Sequence, residues 1–394
     1  MKKILYILGA AIWLSGCIEP YEVDIPDSSQ ILVVNGMITD KAETYAIDLT
    51  WSSPVDGEGF DKVSNATVSV ESRDGETYLF QSAGGGRYLS DAANFQGEAG
   101  KEYRLLIDLP GANYASEWIL LRESPPIESL YAEYDERVNS EGPVEGMQVF
   151  LNTGDPSGET RYYRWEWVET WRYQAQFAAL VNYLGFDQLE EKESFSTCYH
   201  VDSSRVIKVA TTAQNIEDRL NGYPLLYIDT ETNKLASRYS ILVRQYVMSE
   251  EEFFFWKTIQ ESIENVGSLF DRQPQSRTGN VHNINDETEP VLGYFSATSV
   301  AEKRLYIDRN DLPERTVVYT KFRECYRGLD TVFKADYIGQ EEVDEAVFRE
   351  ISYGKVFYNI FGFPIISGYI LTSPECSDCR ELGGTSIKPD FWED

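Results

Sequence analysis

Histidine is almost absent from this chain: its 394 residues include two, His200 and His282. A metal centre built on imidazole needs more ligands than that, or carboxylates close by. Positive charge is scarce too, with 35 Lys and Arg against 65 Asp and Glu and a formal net charge of -30. Nucleic-acid binding depends on cations that neutralise phosphate, so such a polyanion is not expected to take nucleic acid as a partner. Apolar runs are short. The longest, Ile4 to Leu14, falls far below the roughly 20 residues that cross a bilayer. The chain also lacks a Gly-x-Ser-x-Gly elbow, a phosphate-cradling loop and a dinucleotide fingerprint. The expectation is a protein that is not an enzyme and holds no cofactor.

The N-terminus gives an address. Lys2 and Lys3 precede the apolar run, which ends in Leu14-Ser15-Gly16-Cys17. A charged start, a short apolar stretch and small residues at the cut site make a secretory signal over residues 1–16. The last four residues resemble the lipobox of bacterial lipoproteins, which implies lipidation of Cys17. Several acyl chains hold a protein firmly where one holds it marginally. Residues 17–29, with Glu19, Glu22 and Asp24 between Pro20 and Pro26, read as an extended tether. The expected location is the outer membrane, lipid-anchored, with the surface or periplasmic face open.

Four cysteines remain: Cys198, Cys325, Cys376 and Cys379. An even number in an exported chain points to two disulfides, with three pairings open. Cys376 and Cys379 have the C-x-x-C spacing, but no thioredoxin-like pattern surrounds them. As zinc ligands the four are scattered along the chain, so no metal is expected.

The chain is aromatic-rich, with 26 Tyr, 19 Phe and 8 Trp, which suits pleated sheets. Short strands fill residues 30–121. Tyr45, Ile47 and Leu49 alternate with polar or small residues, as do Val68 and Val70, and then Tyr103, Leu105 and Ile107. Asp74-Gly75 marks a hairpin between two of them. This cadence resembles transthyretin-like sandwiches, so the fold class is mainly β. An immunoglobulin- or transthyretin-like N-terminal β-sandwich is expected, followed by a larger β-rich domain with a few helices. Pro125-Pro126 closes a linker from Arg122, and residues 127–394 form the second domain.

Within that domain Tyr163, Trp165, Trp167, Trp171 and Tyr173 fall on one face of a long strand. The face reads as core; left exposed, it would be a platform for a glycan. Phe177, Leu180, Val181 and Leu184 have helical spacing interrupted by Gly185, so 177–192 is ambiguous. Ser249 and Glu252 form a capping box opening a helix whose apolar face is Phe255, Trp256, Ile259, Ile263 and Val266. Gly279-Asn280 suits a turn with positive φ. The last residues, through Phe391 and Trp392, read as a docked tail.

Candidate chemistry is thin. His282 sits among Asn280, Asn283 and Asp286 and reads as a polar turn. His200 reads as a strand residue beside a disulfide. Glu166 and Glu169 are a carboxylate pair of the kind that chance supplies in an acidic chain. Asp56, Glu58 and Asp61 offer oxygen ligands without regular Ca²⁺-loop spacing. No ligand-binding residue stands out, and the small ligand, if any, is unknown.

Taken in order, the lipobox with Pro20-Tyr21-Glu22-Val23-Asp24, the Val33 to Thr39 strand, Gly279-Asn280, Leu292-Gly293-Tyr294-Phe295, Cys376-x-x-Cys379 and the Pro389-Asp390-Phe391-Trp392 ending resemble the Bacteroidota lipoproteins grouped as domain of unknown function 4249. The resemblance spans essentially the whole chain after Cys17. It implies a partner, a TonB-dependent β-barrel receptor of the outer membrane, and it implies no reaction. The expected function is therefore a non-catalytic accessory or substrate-binding partner of such a receptor. A surface glycan- or peptide-binding module is the alternative, with a secreted hydrolase behind it.

Overall fold

The computed structural model describes residues 30–52, 61–139, 142–264, 279–320, 322–362 and 365–393. Cys17 and its tether, Asp56, Glu58 and Val266 lie outside the described residues. The expectation of a mainly β chain is met. Strands of period-two burial assemble into a ten-stranded sheet, a pair of facing sheets and two smaller sheets.

The ten-stranded sheet is built mostly from residues 32–120. Strand Leu32–Thr39 buries Leu32, Val34 and Ile38, and the facing strands bring Ile47, Val68, Leu105 and Ile107 into the same core. The hairpin at Asp74-Gly75 forms, with Ser72 N donating to Glu76 O at 2.8 Å. One wall comes from far along the chain. Leu32–Thr39 pairs in parallel with Val291–Thr298, Leu32 opposite Val291 and Thr39 opposite Thr298. Parallel neighbours need a long crossover, and here the crossover contains all but the last strand of the second unit's two sheets. The linker at 122–126 therefore separates the sheets but not the chain: residues 281–298 belong to the first sheet, beyond the boundary expected at 121.

Strands Val281–Asn283 and Val291–Thr298 stand at opposite ends of the ten-stranded path and come together, so the sheet curls nearly closed like a barrel. Asn280 ties this seam. Its Nδ2 donates to Phe295 O at 2.8 Å, and its Oδ1 accepts from Phe295 N at 2.9 Å. A Cβ on Gly279 would stand 1.6 Å from Gly293 O, so the two backbones meet where only glycine fits. Gly279 and Asn280 are thus a seam rather than the positive-φ turn expected, and neither has a positive φ.

The second unit packs two sheets face to face. One holds Arg219–Asp229, Gly142–Gly154 and Ile127–Asn139. The other is centred on Tyr162–Gln174 and Arg238–Val247, flanked by Thr197–Ser203 and Val300–Asp308. Their shared core includes Met147, Val149 and Leu225 from the first and Trp165, Trp167 and Ile241 from the second. Trp165 is fully buried, and its indole donates to Gln245 Oε1 at 3.0 Å. Gln245 Nε2 donates to Pro125 O at 2.7 Å, which clamps the linker to this core. The tail docks as expected: Trp392 is buried edge-on to Tyr199, and Arg304 lies over the Phe391 ring.

Helix Glu250–Glu264 starts where Ser249 Oγ accepts from Glu252 N at 3.1 Å. The other half of the capping box does not form. Glu252 turns inward and accepts from Ser296 Oγ at 2.5 Å and Trp256 Nε1 at 3.2 Å. It thereby pins the helix to the seam strand of the first sheet. Phe253 and Phe255 are buried, whereas Ile263 is exposed, so only the first turns dock.

Burial pushes the Glu252 carboxyl above its ordinary value of 4.5, despite the Ser296 and Trp256 donors and nearby Arg164 and Arg122. The folded state then binds the proton more readily than the unfolded one. The stability this contributes is present below the ordinary value and is lost as pH rises through the raised one. Glu252→Gln should remove that slope. Urea midpoints compared from about pH 4 to 8 should show the variant pulling ahead of the wild type as pH rises. A constant gap would count against a buried charge at this position.

Candidate functional site

The residues singled out from the sequence do not gather. His282 lies exposed on strand Val281–Asn283, and the polar residues after it bond to one another: Asn283 Oδ1 accepts from Asn285 N at 2.8 Å, and Asp286 Oδ1 accepts from Thr288 Oγ1 at 2.6 Å. His200 sits on an edge strand with its ring 4.5 Å from that of Trp171. Glu166 and Glu169, three apart on one strand, point to opposite faces. Glu169 is buried against the Lys234 ammonium at 2.6 Å, while Glu166 accepts from Arg164 and from the Tyr246 hydroxyl. Tyr163, Trp165, Trp167, Trp171 and Tyr173 are all buried, so the glycan platform is not available on that face. Among the described residues no group of three or more His, Cys, Asp or Glu is placed to hold a metal.

The four cysteines form two nested pairs, Cys198 with Cys379 and, inside that span, Cys325 with Cys376. The C-x-x-C thiols thus have different partners, and both are buried. This is a double staple holding the C-terminal segment to the second unit.

A cleft of about 530 Å³ opens at the linker and is lined by Arg122, Glu123, Asp155 and Thr160 among others. Its central carboxylate is already occupied. Asp155 accepts from Ser157 N and from Thr160 N and Oγ1, each at 2.9 Å. Burial raises its carboxyl, but the Ser157 and Thr160 donors outweigh that and bring it down to about 2. It is an anion whose oxygens are committed to its own turn.

Among the described residues, non-glycine positive φ is confined to one hairpin. Within the Cys325–Cys376 loop lies a small unit of strands Asp330–Phe333, Gly368–Thr372 and Val356–Phe361 and helix Gln340–Ser352, on which the hairpin of Val181–Gly185 with Gln188–Glu191 packs from before Cys198. The hairpin occupies the segment whose apolar spacing was ambiguous. Its two-residue loop is Phe186-Asp187, and both have positive φ, 49° and 61°. Such loops favour Asn-Gly, and a bulky side chain there is strained.

The strain is held by a hydrogen-bond network that runs from the buried Tyr183 and Asp344 out to the exposed Asp187. Asp344 accepts from Phe186 N at 2.9 Å, from Gln340 Nε2 at 2.7 Å and from the Tyr183 hydroxyl. Asp187 accepts from Lys334 Nζ at 2.7 Å and from the Tyr369 hydroxyl. Burial raises the Asp187 carboxyl, but Lys334 and Tyr369 outweigh it and hold it below its usual range.

The result is a fixed, outward-pointing aromatic. Phe186 is 63% exposed, with Leu184 at 54% and Phe348 at 44%. A Cβ at Gly185 would lie 3.7 Å from the Phe348 ring, so hairpin tip and helix share this apolar area. Phe186→Gly should relieve the left-handed strain and stabilise the fold by up to about 1 kcal/mol, the left-handed cost less the entropy glycine adds. A denaturant midpoint that falls in this variant would mean that the ring contributes packing the exposure does not reveal.

No curated protein matches the chain. A family model does, described as Domain of unknown function (DUF4249), over residues 18–304. The match takes in the seam residues Gly279, Asn280 and Gly293 and the hairpin at 181–191, and stops short of the strands and helix at 330–372. With most of its length matched in this way, the chain belongs to the domain of unknown function 4249 family.

Proposed function

We propose that this protein is a non-catalytic, lipid-anchored lipoprotein of the outer membrane that serves as an accessory or substrate-binding partner of a TonB-dependent receptor. The observation that carries this reading is the contrast between its two kinds of residue. The candidate chemical groups are spent on structure: Asp155 on a turn, Glu169 on Lys234, the cysteines on staples. The exposed apolar side chains Leu184, Phe186 and Phe348, by contrast, stand on a rigid, braced unit. Apolar side chains held out from a braced hairpin and the helix beside it can serve an interaction site. The lipobox ending in Cys17 supplies the anchor that would keep such a surface beside a membrane partner.

Co-purification in mild detergent is the direct test, and a β-barrel receptor recovered with the native chain is the expected result. Recovery of the lipoprotein alone would overturn the proposal. Cys17→Ala should move the protein out of the membrane fraction while circular dichroism shows an unchanged fold. Retention in the membrane by that variant would remove the anchor from the argument.

A further inference from the structure

We propose that the face formed by the hairpin tip and the adjoining helix, with Phe186 and Phe348, docks an apolar segment of a partner protein that is flanked by Lys and Arg. This rests on the reading of the chain as a partner-dependent accessory and assigns the surface through which it works.

Three observations converge on this face. The first is backbone strain. Phe186 is held at a positive φ that glycine or asparagine would adopt at lower cost, and the side chain so placed is mostly exposed. The second is preorganisation. Asp344, Gln340, Tyr369 and Lys334 brace the tip from sequence positions more than a hundred residues away. An aromatic carried on a braced backbone loses less entropy on binding than one on a free loop, and aromatics are the usual core of a hot spot.

The third is charge, which selects the occupant. The hairpin carries Asp187, Glu190 and Glu191 and no basic residue. On the helix, Glu341, Glu342 and Glu345 are exposed against one exposed cation, Arg349. Lys334 is already engaged by Asp187. An apolar centre within an acidic rim favours a cationic partner and repels both an anionic lipid surface and a second copy of this acidic chain.

The experiment uses the full chain without its lipid. Binding of a short amphipathic Lys/Leu peptide is measured by titration, beside its Glu/Leu counterpart, for wild type and for Phe186→Ser with Phe348→Ser. The double variant leaves the charge unchanged, so it separates apolar docking from general attraction. The expected result is binding of the Lys/Leu peptide alone, weakened about tenfold or more in the variant, the scale of truncating a buried aromatic anchor. Equal binding by wild type and variant would overturn the proposal, as would equal binding of the Glu/Leu peptide. Pelleting with neutral phosphatidylcholine vesicles that the variant loses would show that the face takes lipid instead. Wild-type dimers in sedimentation that the variant abolishes would give the face to a second copy.

The detergent co-purification keeps this proposal apart from the one it rests on. A β-barrel retained equally by the double variant overturns the docking face and leaves the accessory role standing. Peptide binding that depends on Phe186, with no barrel recovered, supports the face and removes the receptor.

Discussion

Gly293→Ala should cost the fold about 3 kcal/mol or more, the scale of forced backbone strain joined to a backbone clash. Gly293 has a φ of 93°, where an L side chain is strained whatever the space. A Cβ there would also stand 1.8 Å from Val34 O, and a carbonyl cannot rotate away as a flexible side chain can. Strand Val291–Thr298 would have to leave Leu32–Thr39, and the parallel pairing that closes the first sheet would go with it. The expected readout is a large drop in denaturant midpoint together with fast exchange of the amides of residues 32–39. Gly84→Ala is the control. Gly84 also has a positive φ, but a Cβ there meets nothing within 4 Å, so only the conformational part of the cost should appear. Equal losses in both variants would refute the clash as the cause.

The staples give the second large effect. Replacing Cys198 and Cys379 together by Ser opens a loop spanning 181 residues; replacing Cys325 and Cys376 opens one of 51. Chain entropy sets these losses at about 5 and about 4 kcal/mol as upper values, because the longer loop gains more freedom in the unfolded chain. All four sulfurs are buried, so the penalty of placing a hydroxyl there is similar and cancels in the comparison. The first double variant should therefore be the less stable by about 1 kcal/mol. The reverse order in urea melts would mean that native-state contacts, rather than loop closure, govern these bonds.

The residues that could be read correctly in isolation share a feature: their local pattern and their tertiary role agree. Alternation along Tyr163 to Tyr173 places one aromatic face, and that face is the core of the second unit. Ser249 caps its helix because the cap needs only the amide three residues on. Asp74-Gly75 turns where it should, since a short hairpin depends on its own loop. In each case the deciding contact lies within a few residues of the signal.

Where local pattern and tertiary role disagreed, a distant group had the larger energy. Glu252 has the position for a capping box, yet Ser296 from the first sheet takes its carboxylate. Phe186-Asp187 carries no turn signature, and helical spacing runs through its neighbours. The hairpin exists because Asp344 and Lys334, far along the chain, satisfy its amide and its carboxylate. Gly279-Asn280 looks like a turn and is instead half of a seam whose other half includes Gly293 and Phe295.

Sequence by itself therefore determined the acidic character, the β class, the buried aromatic face, the helix start, the docked tail and the existence of an even set of cysteines for pairing. Only the tertiary structure decided which cysteines pair, that residues 281–298 close the first sheet, and that an exposed Phe186 stands at a positive φ on a hairpin braced from far along the chain. The division follows from range. Periodicity and caps are satisfied by neighbours a few positions away, whereas pairing, closure and strain depend on groups that meet only once the sheets have brought them together.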